Sequence, residues 1–234
     1  IIHLFFPFLI LFIPFLLVVI QPDLGTALSI VILGIFILFA SGVMLWKFIL
    51  GFFLLIGSIP VLLNYLKPYQ RDRVISFLNP EDDALGQGYQ LIQSKIALGS
   101  GGLSGKGFLE GTQSYLQYLP EKQTDFIFTL IGEEFGFIGT IFVIFLFLLL
   151  ITICFYISIK SFHIFGRLLC IGIGTNIFIY VIMNISMVSG LMPVVGIPLP
   201  LVSYGGSAML SIMISIGLVL NMELNCNEKK LKHA

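Results

Sequence analysis

An aspartate, Asp125, stands in the stretch PEKQTDFIFTLIGEEFGFIG (residues 120–139), where a long polar segment gives way to a very apolar one. A carboxylate at such a boundary can accept the proton of an attacking hydroxyl group, which is general-base chemistry. An ionisable group at membrane depth is expensive to desolvate and indicates a functional site by default. The alternative is an ion-paired aspartate at the interface.

Read as a helix that starts at Asp125, this stretch has one small and polar face. At about 100° per residue, five positions fall within roughly 40° of one line: Asp125, Thr129, Gly132, Gly136 and Gly139. Glu133 lies about 80° off that face and Glu134 about 180°. The two glutamates therefore cannot both point where Asp125 points.

The composition indicates an integral membrane protein. Hydrophobic residues make up 58% of the 234 residues and charged residues 10%, and the mean hydropathy is +1.06. Long continuous apolar runs favour helices over a barrel, because barrel strands alternate with a period of two. The net charge is zero, so bulk electrostatics gives no reason to expect a nucleic-acid partner.

Six apolar runs are each about long enough to cross a membrane: residues 4–20, 26–45, 48–66, 126–159, 168–188 and 201–220. The predicted fold class is an all-α polytopic membrane protein with a single membrane domain over residues 1–234. Because three prolines precede Ser203, the last span is expected to start late. The chain begins at Ile1 without a methionine or a leader pattern, and we expect it to be a fragment.

Orientation follows from the lysines and arginines of the short connections. One side carries six of them: Lys47, Lys160, Arg167, Lys229, Lys230 and Lys232. The other side, with residues 21–25 and 189–200, carries none. The first side, with the C-terminus, is therefore predicted to be cytoplasmic, which makes residues 67–125 a large extracytoplasmic loop between the third and fourth helices.

A short helix is predicted inside that loop. Tyr89, Ile92 and Ile96 recur at helical spacing among polar residues. They favour an amphipathic helix on the membrane surface, with a helix packed on the loop's own small core as the alternative. The glycine-rich GSGGLSGKG (99–107) departs from the Walker pattern at both ends, and a flexible or tightly turned loop is the better interpretation.

Several polar residues could bind an anionic substrate. The cations of the loop would suit an anionic lipid head group, and a solvated face is the alternative for each of them. Asp23, in a tight turn, either caps the next helix or faces the cavity. The segment from Ser203 to Ser207 lets a backbone approach either a ligand or a neighbouring helix. The candidate substrate-binding set is Arg71, Arg73, Lys95, Glu121, Lys122, Asp23, Ser203, Tyr204, Gly205 and Gly206.

Five motifs, in this order, resemble the SEDS family of shape, elongation, division and sporulation proteins: QPDLGTAL, YQRDRVISFLNP, GQGYQLIQSKIALGSGGLSGKG, LPEKQTDFIFTLIGEEFG and SGLMPVVGIPLPLVSYGGSAM. The match covers nearly the whole chain and is closer to the rod-shape branch than to the division branch. Family members have about ten spanning helices, so the six here would be the last six. Gln123 departs from the pattern, because relatives commonly have histidine there.

The resemblance implies a peptidoglycan glycosyltransferase in the bacterial inner membrane. It would polymerise lipid II, release undecaprenyl diphosphate and work with a class B penicillin-binding transpeptidase. An α-linked diphosphate that becomes a β-1,4 glycan requires inversion, so one displacement suffices, with Asp125 as the base by similarity. Departure of the diphosphate needs positive charge from Arg71, Arg73 and Lys95, or a divalent cation such as Mg²⁺.

Two other functions remain open at this stage. A lipid II flippase would also need a polar face within the membrane, and a non-catalytic scaffold for the transpeptidase would need no base. A flippase should show polar residues through the full depth of several helices. Asn176, Tyr180 and Asn184 form the one such run, and we expect them to hold helices together.

Overall fold

The computed structural model describes residues 2–21, 23–64, 73, 75–83, 86–112 and 123–232. Seven α-helices have their bounds in this part of the chain: α1 (Ile2–Ile20), α2 (Leu24–Ala40), α3 (Leu45–Asn64), α4 (Gln87–Ser100), α5 (Ile127–Lys160), α6 (Ile164–Val188) and α7 (Gly206–Lys232). Residues 73 and 75–78 are helical as well. A short 3-10 helix covers Pro80–Asp82. No strand occurs in these ranges, and each of the six predicted spans corresponds to a helix, so the predicted all-α fold class is confirmed.

The longest helices have the composition of membrane spans. By length and hydropathy, α5, α6 and Gly206–Leu224 of α7 could each cross a bilayer, and shorter apolar helices cover Phe5–Ile20 and Leu24–Ala40. Large apolar side chains such as Phe142 and Phe145 of α5 are more than half exposed, as expected where a helix meets lipid rather than water. The protein is a polytopic membrane protein. Its last span begins at Gly206, and the predicted late start is confirmed.

The core lies where α4, α5, α6 and the segment before α7 meet. Helices α5 and α6 pack along each other, α2 packs on α6, and α1 packs on α2. Buried side chains from all these central elements form one cluster that includes Leu91, Phe126, Phe147, Ile177 and Leu199. A single apolar core thus connects the beginning of α5 with the segment that leads into α7.

The helix predicted inside the long loop is present as α4. It contacts the 3-10 helix of the same loop, but most of its packing is on helices outside the loop. Its buried face consists of Leu91, Ser94 and Ala97, and this face packs directly on α5 and α6. Ile96, which was expected on the apolar face, is 46% exposed. A three-residue spacing between positions 91, 94 and 97 carried the packing signal, although a serine in the middle of it concealed the signal.

Helix α5 begins two residues later than predicted, at Ile127, with Phe126 as its N-cap residue. Asp125 therefore lies in the turn before the helix, and it does not share the small face that was predicted for a helix starting at Asp125. Asn184 and Ser203 bind the carbonyl oxygens of Asp125 and Thr124 in this turn. The small face does exist. Thr129 and Gly132 are buried on it, against α4 and the segment that follows α4.

Gly136 interrupts α5, with φ of 67° and ψ of −162°. Such a break frees two carbonyl groups before the glycine and two N–H groups after it, and buried backbone groups of this kind need partners. The partners come from the glycine loop, defined here as residues 101–110. A β-carbon at position 136 would lie 2.7 Å from the Leu103 oxygen, so only glycine fits.

The glycine loop replaces all four lost interactions. The N–H groups of Lys106 and Gly107 donate to the Glu133 and Glu134 carbonyls at 3.0 and 3.1 Å. The N–H groups of Phe137 and Ile138 donate to the Gly102 and Leu103 carbonyls at 2.9 and 3.2 Å. The tightly turned loop predicted for the glycine-rich motif is thus confirmed, and its role is to complete the interrupted helix.

Candidate active site

The turn that carries Asp125 is held by a buried asparagine of α6. Asn184 is fully buried, and its side-chain amide donates to the Asp125 carbonyl at 2.8 Å and to the Ile197 carbonyl at 2.7 Å. One side chain therefore ties the residue before α5 to the segment after α6. The predicted helix-joining role of Asn184 is confirmed in this form, as a link between two loops.

The segment before α7, residues 189–205, is called here the proline loop. It holds the same turn from the other side. The Ser203 hydroxyl donates to the Thr124 carbonyl at 2.6 Å and accepts from the Leu199 N–H at 2.7 Å. The Tyr204 N–H donates to the Gln123 carbonyl at 2.9 Å. Because Gln123 is held through its backbone, the replacement of the histidine common in relatives leaves this contact available.

The carboxylate of Asp125 lies against a glycine of the proline loop. Gly196 has φ of +71°, and a β-carbon there would stand 3.2 Å from Asp125 Oδ2. On the same stretch of the loop, Val195 and Ile197 approach Gly25 of α2 so closely that a β-carbon at position 25 would lie 2.9 to 3.1 Å from their atoms. The QPDLGTAL motif thus packs against the wall of the candidate site.

A second charged side chain lies over another glycine of the proline loop. The ammonium end of Lys95 packs against Gly190, which has φ of +74°. Beside it on α4, the Ser94 hydroxyl donates to the Val188 carbonyl at 2.8 Å and lies 2.8 Å from the Thr129 hydroxyl of α5. Lys95 therefore lies on a helix that is hydrogen-bonded to the end of α6 and to the first turn of α5.

Arg73 also approaches the proline loop, in a small gap lined by Ser76, Phe77, Leu91 and Val194. Its side chain is half-buried, and among the described residues its Nη1 atom is buried without a hydrogen-bond partner. A buried guanidinium nitrogen without a partner is costly. An anion could supply the missing acceptor, so Arg73 stays a candidate.

Asp23 is occupied by a different task. Its Oδ1 accepts from the Thr26 N–H at 3.0 Å and its Oδ2 accepts from the Thr26 hydroxyl at 2.6 Å, which caps the start of α2. Of the two interpretations of this residue, the structure therefore shows capping. Its role in substrate binding has no support in these contacts.

An open groove of about 480 Å³ begins beside the Asp125 turn. It is lined by Gln123, Ile127, Val202, Ser203, Tyr204, Gly205, Gly206 and Met209. The Tyr204 side chain is 77% exposed on its wall, whereas Ser203 is buried because it holds the turn. The four predicted residues from Ser203 to Gly206 thus come together, and they do so next to Asp125.

The sequence comparisons identify the family. A family model described as "Cell cycle protein", which groups FtsW, RodA and SpoVE, matches residues 1–228. The chain belongs to this family, the SEDS family. It is 49% identical over 215 residues to the peptidoglycan glycosyltransferase MrdB of Escherichia coli K12, covering 91% of this chain and 58% of MrdB.

Two further SEDS relatives show lower identity than MrdB. Identity is 44% to the probable peptidoglycan glycosyltransferase FtsW of Trichlorobacter lovleyi, over 86% of this chain and 52% of that protein. It is 41% to the stage V sporulation protein E of Bacillus subtilis, over 91% and 58%. MrdB is a RodA protein, so the predicted closeness to the rod-shape branch is confirmed. The chain spans a little over half the length of these relatives.

Solved SEDS structures share the fold. A chain from a structure described as "Structural coordination of polymerization and crosslinking by a peptidoglycan synthase complex" superimposes with a TM-score of 0.77 at 33% identity, covering 94% of this chain and 61% of that one. A mutant of the Thermus thermophilus rod shape determining protein RodA gives a TM-score of 0.62 at 24% identity, covering 94% and 56%. The second likeness concerns the fold alone.

Three of the predicted SEDS site residues lie outside the described part of the chain, namely Arg71, Glu121 and Lys122. Within the described part, no group of three or more histidine, cysteine, aspartate or glutamate residues could hold a metal ion. The described residues around Asp125 therefore do not by themselves form a site for a tightly bound divalent cation.

Sequence reasoning missed one charged cluster near the site. Glu133 is fully buried, and its Oε1 accepts from Lys106 Nζ at 2.9 Å, with the Thr112 hydroxyl at 3.3 Å from the same oxygen. Lys106 is 26% exposed. The signal was a lysine in a glycine-rich loop, which the sequence interpretation treated only as one of the loop's cations.

Proposed function

We propose that the protein is a peptidoglycan glycosyltransferase that polymerises lipid II in the bacterial inner membrane, during the elongation that maintains rod shape. The observation that carries the proposal is the setting of Asp125. Its backbone turn is held by Asn184 and by Ser203, and its carboxylate lies beside Gly196. Two residues near it in the chain, Gln123 and Ile127, line an open groove. The names of the SEDS relatives support the reaction class.

In the proposed reaction, the Asp125 carboxylate accepts the proton of the acceptor sugar's 4-hydroxyl. That oxygen attacks the anomeric carbon of the donor, the bond from this carbon to the diphosphate oxygen breaks, and undecaprenyl diphosphate leaves. A single displacement inverts the configuration from α to β. A base placed in this way accounts for about 10²–10⁴-fold of the rate.

The backbone contacts of the turn support the base assignment. The turn around Asp125 is fixed through main-chain carbonyls of Gln123, Thr124 and Asp125, so the fold does not depend on the side chain of Asp125 for these contacts. Preorganisation of this kind keeps a reacting group within the narrow tolerance that catalysis requires.

The decisive experiment compares Asp125→Asn with the wild type in polymerisation of labelled lipid II by the full-length protein. Asparagine is nearly isosteric but does not accept a proton, so we expect a loss of about 10²–10⁴-fold. Asp125→Glu should retain partial activity at best, since a shift of about 1 Å can cost about 10²-fold. An asparagine variant that polymerises at the wild-type rate would remove the base assignment.

Two controls accompany that assay. Glu134→Gln changes a buried glutamate of the same helix, and we expect an effect on stability rather than on rate. Lipid II translocation is measured in parallel for every variant. If Asp125→Asn abolishes translocation together with polymerisation, the flippase becomes the better assignment.

The proposed orientation places residues 67–125 outside the cell and the end of α7 in the cytoplasm. The proposed cytoplasmic side carries six lysines and arginines, whereas the short connections of the opposite side, residues 21–25 and 189–200, carry none. Positive charge of this kind favours the cytoplasm. Glu110 is exposed in the glycine loop, so a cysteine introduced there should react with an impermeant reagent in intact spheroplasts. Reaction only after lysis would reverse the topology.

The proposed partner is a class B penicillin-binding transpeptidase. The support is the chain from a structure described as a peptidoglycan synthase complex that coordinates polymerisation and crosslinking. Coupling the two reactions would let new glycan strands be crosslinked as they leave the groove. Copurification of the transpeptidase with the full-length protein, retained by Asp125→Asn, tests the partnership separately from the chemistry.

A further inference from the structure

The glycine loop presents an unusual surface. Leu103, Phe108 and Leu109 are 71–73% exposed, in a loop whose backbone is hydrogen-bonded into the break of α5. Large apolar side chains that project together from a surface mark an interaction site. What this surface contacts can be inferred from the part of the molecule that lies next to it.

The apolar surface of the loop continues onto α5. The Phe108 ring lies 6.3 Å from the Phe135 ring, centroid to centroid. Phe137 and Ile138, which follow the break and donate to the loop's carbonyls, are 57% and 67% exposed. These two residues lie within α5, which has the length and composition of a membrane span. The loop thus extends the lipid-facing surface of the helix at its Asp125 end.

Several backbone groups of the loop are paired in a way that suits contact with hydrocarbon. Four backbone groups of Gly102, Leu103, Lys106 and Gly107 pair with the four groups freed at the break. Lipid offers no partners for unpaired backbone, so irregular segments at that depth must find theirs within the protein. The glycine loop meets this requirement at the positions that flank its apolar side chains.

The one lysine of the loop is also neutralised. Lys106 forms its ion pair with the fully buried Glu133 at 2.9 Å and donates to the Thr112 hydroxyl at 2.7 Å. A paired lysine avoids most of the cost of a bare ammonium beside hydrocarbon. Glu110, at the end of the loop, stays exposed, and it limits the loop to the interfacial zone.

We propose that the glycine loop is a membrane anchor, which inserts Leu103, Phe108 and Leu109 into the acyl-chain boundary of the leaflet on the Asp125 side. Interfacial elements of this kind lie about 5–10 Å into the boundary between head groups and acyl chains. Because the loop is hydrogen-bonded to α5 just after the first turns of the helix, the anchor fixes the height of Asp125 relative to the lipid surface. A lipid-linked substrate would then meet the carboxylate at a constant depth.

The test uses a single tryptophan as a depth probe in the full-length protein, reconstituted in lipid nanodiscs so that both faces of the bilayer meet the solution. The native Trp46 of this chain is replaced by phenylalanine, along with any tryptophan elsewhere in the protein. Phe108→Trp and, separately, Leu103→Trp are then introduced. Glu110→Trp is the matched control in the same loop.

We expect tryptophan at positions 103 and 108 to emit at shorter wavelength than at position 110. Lipids brominated on their acyl chains should quench these two probes several-fold more strongly, and aqueous iodide several-fold less. Two probe positions guard against a variant that fails to fold. Emission typical of water-exposed indole at both positions would overturn the proposal. Shielding that occurs only after a transpeptidase is added would also overturn it, because the surface would then be a protein interface.

Discussion

Two acidic residues near the start of α5 have opposite settings. Asp125 lies in a turn before the helix, half-buried, beside Gly196 and an open groove of about 480 Å³. Glu133 lies inside the helix, fully buried, with Lys106 at 2.9 Å. Both belong to the same motif. Burial together with a lysine partner makes Glu133 a structural residue, whereas the half-buried Asp125, beside Gly196, is the acid that we propose for the chemistry.

The two glycine-bearing loops that flank these acids differ in the same way. The glycine loop uses its glycines to bring backbone against backbone, and it encloses its one lysine in an ion pair. The proline loop uses Gly190 and Gly196 to seat the charged side chains of Lys95 and Asp125. Glycine content alone therefore says little about function. The two loops are distinguished by what packs against their glycines: backbone atoms of α5 in the glycine loop, and charged side chains in the proline loop.

The largest expected effect on stability is that of Lys106→Met. It leaves the fully buried Glu133 carboxylate without its cation, and breaking a buried pair costs on the order of 3 kcal/mol. Thermal unfolding in detergent should therefore occur several degrees lower, while the protein that remains folded polymerises lipid II at the normal rate.

The matched control adds Glu133→Gln to Lys106→Met, which removes the stranded charge and should restore part of the lost stability. If Lys106→Met unfolds like the wild type but polymerises slowly, Lys106 belongs with the substrate-binding cations after all. The distinction between the two acids would then need to be drawn differently.

Gly196→Ala should have the next largest effect, and on activity rather than stability. Alanine is strained at φ of +71°, and its β-carbon would stand 3.2 Å from Asp125 Oδ2, so the carboxylate or the loop must shift. The neighbour must move by a few tenths of an ångström. Because a displacement near 1 Å can cost about 10²-fold in rate, we expect a loss of up to about 10²-fold in the lipid II assay.

Gly102→Ala is the control for backbone strain in that experiment. Gly102 also has positive φ, +57°, but a β-carbon there meets nothing within 4 Å. Its effect should be confined to a small loss of stability. Equal rates for Gly196→Ala and the wild type would show that the close contact with Gly196 does not control the position of Asp125.

Hydrophobic runs predicted the spanning helices well, because a helix that faces lipid must be apolar along its length. The details of α5 could not be predicted in this way. The break at Gly136 is stabilised by a loop that lies some thirty residues earlier in the chain, and helical periodicity contains no information on such distant hydrogen bonds. The same limit explains why Asp125 was placed on a helical face that it does not share.

The sequence predicted which residues belong to the site, and the hydrogen bonds of the structure show what several of them do there. Ser203 and Tyr204 were candidates for substrate contact, and they reach Asp125 through the Thr124 and Gln123 carbonyls. Asp23 was open between capping and the cavity, and the distances to Thr26 decide for capping. A sequence motif shows that residues matter together, whereas hydrogen-bond partners show which of them hold the others in place.

The smallest expected effect concerns the cations that approach the proline loop. If Arg73 and Lys95 hold the leaving diphosphate, Arg73→Ala and Lys95→Ala should each weaken lipid II use by about 1–3 kcal/mol, the scale of a charge-assisted hydrogen bond. Arg73→Lys should recover only part of the loss, because an ammonium group cannot reproduce the two-pronged guanidinium contact. Lys47→Ala serves as the control, since it removes a cation from the first turn of α3 without changing the proline loop. The measurement separates kcat from KM for each variant. A pure loss of thermal stability with unchanged kcat and KM would make Arg73 a packing residue against Leu91 and Val194, and Asp125 would then act without help from these two cations.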